Sequence, residues 1–289
     1  MELLFDSELA LLRKKRALKQ GDPGARFLMN RVADDLEERL STVDRQFDQA
    51  AAVFCLTNDA ARAMLSGGKA KIVTRIEADP AFLDGDGRIA NAETLPMEPA
   101  SLDLIVSLLN LHEVNDVPGM LAQIRRALKP DGLFLGAMAG AGTLQELREV
   151  LLAAETELFA GAAPRVSPFA DVRDVGGLLQ RAGFALPVAD LETVTVRYAT
   201  MFDLMRDLRS MGATSILTAR SRKPATRALF MRAAQLYAER FSDPDGRIRA
   251  SFNIVWMSGW APHESQQKPL APGSAKMSLK DALENSRKK

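Results

Sequence analysis

Leu102-Asp103-Leu104-Ile105-Val106-Ser107-Leu108, continued by Leu109-Asn110-Leu111-His112-Glu113-Val114-Asn115-Asp116, is the stretch on which the fold turns. Its first half is a short, nearly continuous apolar run of the kind found in strands buried on both faces. A helical pattern from about Val117 to Leu128 follows and stops at Lys129-Pro130-Asp131-Gly132, a strong turn signal. Leu133-Phe134-Leu135-Gly136-Ala137-Met138 is then a second apolar run. Strand, helix, strand in that order predicts a βαβ unit and a parallel sheet.

The same rhythm extends outward in both directions. Ala51-Ala52-Val53-Phe54-Cys55-Leu56 reads as a buried strand, Asp59 to Leu65 as a helix, and Lys71 to Ile76 as a second strand entered through Gly67-Gly68. Arg88-Ile89-Ala90 is a brief third strand after a Gly85-Asp86-Gly87 turn. Beyond the centre, Thr143–Phe159 and Val172–Ala182 are predicted helices, Val188–Tyr198 a strand, Met201–Met211 and Ala225–Phe241 helices, and Phe252–Trp260 a last strand. Before all of it, residues up to 46 read as helix, interrupted at Asp22-Pro23-Gly24. The order predicts a doubly wound α/β sheet. Such a sheet binds its ligand beyond the carboxyl ends of the strands, where the strand order reverses. Chemistry is therefore expected just after strands one to four.

Composition closes off other classes. Hydrophobic residues make up 47% of the 289 and charged ones 26%, a globular mixture. The formal charge of +1 supplies no field to gather nucleic acid. The basic run Arg13-Lys14-Lys15-Arg16 reads as a solvated helix face. One cysteine forms no internal disulfide, and with only two histidines a structural zinc site is not expected. A metal triad would need the fold to join His112 and His263 with an acid, so no metal is assigned. No apolar run is long enough to span a membrane. The acidic start (Glu2, Asp6, Glu8) argues against a transit peptide, and a cytoplasmic location is expected.

Ile89-Ala90-Asn91-Ala92-Glu93-Thr94-Leu95-Pro96-Met97 after strand three, the His112 segment after strand four, and Lys129-Pro130-Asp131-Gly132 before strand five resemble class I S-adenosylmethionine-dependent methyltransferases. The resemblance implies a seven-stranded Rossmann-like sheet with S-adenosylmethionine as cofactor and Asn91 and Ala92 against its adenine. Further phrases narrow it: Leu4-Phe5-Asp6, Leu111-His112-Glu113-Val114-Asn115-Asp116, Ser167-Pro168-Phe169, Met201-Phe202-Asp203-Leu204-Met205-Arg206-Asp207-Leu208 and His263-Glu264-Ser265-Gln266. These resemble the methyltransferase-like arginine hydroxylases that assist assembly of respiratory complex I. Membership would imply a protein substrate, a complex I subunit, with any membrane association peripheral and through that partner. On this plan 1–46 is a helical lead, 47–261 the methyltransferase-like domain with inserted helices at about 201–241 covering the cleft, and 262–289 a flexible tail.

The turn after strand one departs from the pattern. Methyltransferases place an acid and three alternating glycines there, and Ala52, Phe54, Leu56 and Asn58 take those positions. Glycine lets backbone approach a ligand closely. Its loss argues against the usual pose of the cofactor, and leaves two further readings: a methyltransferase with a degenerate loop, and a non-catalytic scaffold for a partner.

By position, Cys55, Asn58, Glu77, Asn91, Ala92 and Ser107 are the cofactor-side candidates. Cys55 also reads as a buried small hydrophobe. His112, Asn110 and Glu113 are the catalytic candidates. His112 reads as a general acid/base or pocket donor, or else as a core histidine. Glu113, where the resembling subgroup more often has an aromatic residue, reads as a catalytic carboxylate or an exposed loop acid. The stripe Met201, Leu204, Met205, Leu208 and Met211 is core packing or a docking face.

Overall fold

Small side chains let the centre of the sheet be covered on both sides. In the computed structural model, which describes residues 3–159 and 161–267, Ala50, Ala51 and Ala52 lie fully buried in the first strand. Alternation sends Ala51 and Val53 into one hydrophobic core and Ala50 and Ala52 into the other. Two helices come first, α1 (Ser7–Gln20) and α2 (Phe27–Ser41). The alternating body follows: β1 (Phe47–Val53), α3 (Asp59–Ser66), β2 (Ala70–Glu77), β3 (Arg88–Ile89), β4 (Leu102–Leu108), α4 (Val117–Ala127) and β5 (Leu128–Ala139). The chain continues with α5 (Gln145–Leu158), α6 (Val172–Arg181), β6 (Ala185–Tyr198), α7 (Met201–Ser210), α8 (Arg227–Phe241) and β7 (Ile248–Trp260).

The seven strands form one sheet in the order β3-β2-β1-β4-β5-β7-β6. β7 runs antiparallel to both its neighbours, and the remaining pairings are parallel. One core, with Ile105, Phe134, Val175, Leu179 and Val255, lies on the side of α4 and α6. The other, with Leu36, Leu40, Met64, Val106 and Trp256, lies under α2 and α3. A third, Tyr198, Leu204, Leu229 and Phe252 among others, joins α5, α7 and α8 to the far ends of β6 and β7. The doubly wound α/β plan expected from the sequence is the fold observed.

Several local expectations shift. β1 ends at Val53, not Leu56, because Phe54 (φ +53°) and Leu56 (φ +64°) take left-handed backbone that no strand accommodates. Lys129-Pro130-Asp131-Gly132 interrupts β5 as a bulge: pairing with β4 jumps from Leu102↔Leu128 to Leu104↔Leu133, and Asp131 sits at φ +63°. The Met201–Met211 stripe is core, with Met201, Leu204 and Leu208 buried in the third cluster. Of the inserted helices, α7 reaches the cleft and α8 packs on α5. His263–Gln266 closes as a turn, Gln266 bonding Asp131 and the Ala261 carbonyl. The expected flexible tail beyond residue 267 lies outside the described residues.

Candidate functional site

β1 and β4 are neighbours whose chains leave in opposite directions, β1 toward β2 and β4 toward β5, so their carboxyl ends border a crevice. Four segments enter it. From β1 come Phe54 and Leu56. From β2 comes Glu77, from the loop after β3 Asn91 and Ala92, and from the single 3-10 turn after β4 Asn110, His112 and Glu113.

The crevice has two adjoining chambers. One, about 230 Å³, is lined by Glu77, Asn91, Ala92, Asn110 and Glu113. The other, about 490 Å³, is lined by Asn58, His112, Phe169 and Phe252 and by the end of α7. The second falls in the ordinary range of ligand cavities, roughly 300–1,000 Å³. Phe54, Leu56, Glu113 and Lys14 border both chambers and so stand between them.

Lys14 is the residue that sequence reasoning missed. It arrives on α1, and its Nζ lies 2.6 Å from Glu113 Oε2 and 3.4 Å from Asn110 Oδ1. Its neighbours are engaged as well: Arg13 donates to the Ser215 carbonyl and Lys15 pairs with Asp79 at 2.9 Å. Arg13 and Lys14 thus act as fasteners, while Lys15 and Arg16 keep the exposed face expected of the run. Nothing in a run of like charges distinguishes the two, because the partners lie far along the chain. Phe169, which faces His112 with ring centroids 5.9 Å apart, was likewise visible only as part of a phrase.

Electrostatics differ among the candidates. Burial pushes the Glu77 carboxyl up to about 7 despite Arg75 beside it, while the Leu56 N–H donates to its Oε2 at 3.3 Å. Burial also pushes Glu113 up, but Lys14, His112 and Arg13 more than offset it and hold the carboxyl below its usual range. Burial lowers the His112 imidazole, keeping it neutral near pH 7. Its Nδ1 accepts from the Ala139 N–H at 3.3 Å, which assigns the proton to Nε2. His112 therefore offers the larger chamber a donor. It can act as a base there only by giving up the Ala139 bond. Asn110 is 6% exposed and its Nδ2 has no partner.

The structure brings Glu77, Asn91, Ala92, Asn110 and Glu113 together around one chamber and Asn58 and His112 around the other. Asn58 Nδ2 also donates to Asp84 at 2.6 Å. Cys55 and Ser107 line neither. The Cys55 thiol is fully buried in the core beneath α3, accepts from the Leu108 N–H at 3.4 Å, and is pushed up to about 12 by burial and by Glu77. Ser107 is buried with its hydroxyl unpartnered. Among the described residues no group of three His, Cys, Asp or Glu is placed to hold a metal. His263 is exposed on its turn, with Nδ1 2.6 Å from Ser265 Oγ.

Comparison with known proteins gives the family and the fold. A family model described as "Methyltransferase domain" matches residues 49–136. The mouse (Mus musculus) protein "Arginine-hydroxylase NDUFAF5, mitochondrial" is 38% identical over 284 residues, covering 96% of this chain and 82% of its own. The zebrafish (Danio rerio) protein of the same name is 44% identical over 193 residues, 67% of this chain and 60% of its own length. Among solved structures, a putative methyltransferase from Bacillus halodurans superposes with a TM-score of 0.55 at 15% identity, covering 80% of this chain and 100% of that one. That last likeness establishes the fold alone. Among the described residues no helix is long and apolar enough to cross a membrane.

Proposed function

The chain belongs to the family of the arginine hydroxylases just described, and from that premise we propose that it hydroxylates an arginine side chain of a protein partner, a subunit of respiratory complex I. The observation that carries this reading is the likeness to the mouse protein along 96% of the chain, well beyond the residues of the methyltransferase domain itself. The larger chamber agrees with it. It has the volume for a long side chain, an aromatic wall at Phe169, a neutral imidazole donor at His112 and a carboxylate at Glu113.

In this reading the chain's own residues position and desolvate. His112 donates through Nε2, Phe169 holds the imidazole ring from one side, Glu113 presents its carboxylate at the junction of the chambers, and Asn110 faces the smaller one. Adding oxygen to an arginine consumes an oxidant, which no side chain here supplies. S-adenosylmethionine, when bound to a methyltransferase, supplies an electrophilic methyl group. Glu77, Asn91 and Ala92 are the residues that would face its nucleoside half. Speaking against its usual pose is the turn after β1, where Phe54 and Leu56 keep backbone that favours glycine but carry side chains into both chambers. The residues present do not fit the whole group, and no step is derived through it.

The test is mass spectrometry of the arginine-bearing complex I subunit from cells with and without the gene. The wild type should carry one added oxygen, about 16 Da, that the deletion lacks. An unchanged mass with a fully assembled complex overturns the reading. An unchanged mass with failed assembly favours the scaffold instead. A cytoplasmic location, with contact to the membrane only through the partner, completes the proposal and is checked by fractionation.

A further inference from the structure

Glu113 and Lys14 form a largely desolvated ion pair, their side chains 13% and 18% exposed, where the two chambers meet. Such a pair is no simple stabiliser. Removing two charges from water costs about as much as their attraction returns, whereas leaving one behind alone is expensive. Glu113 is therefore stabilised as a carboxylate by a cation beside it, but nothing requires that the cation be this one. Lys14 comes from α1, a helix in which Ala17 alone is buried, so its ammonium is carried on a lightly attached arm. A point charge also uses a carboxylate poorly. A guanidinium can engage both oxygens at once through a planar fork and lie against aromatic rings, and Phe54 and Phe169 supply rings on the same walls. Asn110 adds an Oδ1 that already faces the ammonium and an unpartnered Nδ2, nine-tenths buried, that awaits a ligand oxygen.

We propose that Glu113 is the seat of the substrate's arginine guanidinium, and that Lys14 occupies this seat in the free protein and is displaced when the substrate arrives. The inference rests on the function proposed above and adds to it the residue that selects the side chain. It also gives the basic run of α1 a role: one cation leaves as another enters, and the carboxylate is never stranded.

The probes are N-acetyl-arginine amide and its citrulline counterpart, nearly the same shape without the charge, titrated by calorimetry into the full chain. The wild type should prefer the arginine probe by about tenfold or more, equivalent to roughly 1.4 kcal/mol. Lys14→Met should tighten the arginine probe by about three- to tenfold, because no resident cation has to be displaced, and leave the citrulline probe unchanged. Glu113→Gln should bind both alike. Should that variant fail to fold, the double variant Lys14→Met/Glu113→Gln strands neither charge and should also bind both alike. Equal affinity of the wild type for the two probes, a Lys14→Met variant that binds arginine no tighter, or no heat from either probe overturns the assignment. The subunit's mass keeps the two ideas apart. An added oxygen alongside probes that bind alike sinks the Glu113 seat and spares the function. Lys14→Met tightening alongside a subunit that never gains oxygen does the reverse.

Discussion

The floor and the cover of the crevice are held by different physics. α2 lies behind the floor and buries Val32, Ala33, Leu36 and Leu40 in the core shared with β1 and β4. α1 lies over the opening and buries only Ala17. It is fastened by charges and polar contacts: Lys14 to Glu113, Lys15 to Asp79, Gln20 Nε2 to Ser210 Oγ, and Asp6 to Arg220. Apolar burial is not screened by salt and is lost only when the fold is lost. An exposed ion pair such as Lys15 with Asp79 is worth little singly and is screened, unlike the desolvated Lys14–Glu113 pair. Two adjacent helices of similar length thus belong to different classes of stability, and only one of them can open while the sheet stays intact.

That contrast can be broken in three ways. The largest effect is expected in the floor: Leu36→Ala leaves a cavity beside Leu40 and Phe47 and should cost about 2–5 kcal/mol in chemical denaturation. A loss under about 1 kcal/mol would mean that α2 is no more integral than α1. Second is the pH response. The Glu77 carboxyl is raised to about 7 in the folded chain from its usual 4.5, so the native state holds a proton there that the unfolded chain has released. Its contribution is therefore favourable to folding below about pH 4.5 and is lost as pH rises through about 7. Glu77→Gln should flatten the fall in melting temperature across that interval, and an undiminished fall would assign it to another group. The smallest effect concerns the cover. Lys15→Ala should change global stability by less than about 1 kcal/mol, yet speed amide exchange in α1 while leaving α2 unchanged. Raising the salt in the wild type should do the same. Equal exchange in both helices under both conditions would erase the distinction.

How much of this was legible from the residues follows the same division. Strands and their order were readable because each is a short apolar run bounded by turn residues. The position of the site followed from topology, since β1 and β4 must diverge. Its polar floor was readable for that reason: Glu77, Asn91, Ala92, Asn110, His112 and Glu113 all sit just beyond strand ends. Cys55 and Ser107 share that proximity but do not reach the crevice. The left-handed turn at Phe54 breaks the alternation of β1, so Cys55 joins Ala50 and Ala52 in the core under α3, and Ser107 lies within β4. The helices of the cover were legible, but not the contacts that fasten α1 over the crevice. Lys14 meets Glu113 across 98 intervening positions, and local spacing says nothing about which distant carboxylate a lysine will find.

Phe54 and Leu56 carry a longer implication. L-residues held in left-handed backbone sit roughly 1–2 kcal/mol above their relaxed state, yet the Phe54 N–H to Ile76 carbonyl bond and the Leu56 N–H to Glu77 bond keep the bend in place. The bend suits small residues, and the side chains it carries instead hold its torsion. A single replacement of Leu56 by glycine would therefore relax torsion and enlarge the space beneath it in one step. That replacement runs downhill in conformational energy and widens the passage between the two chambers.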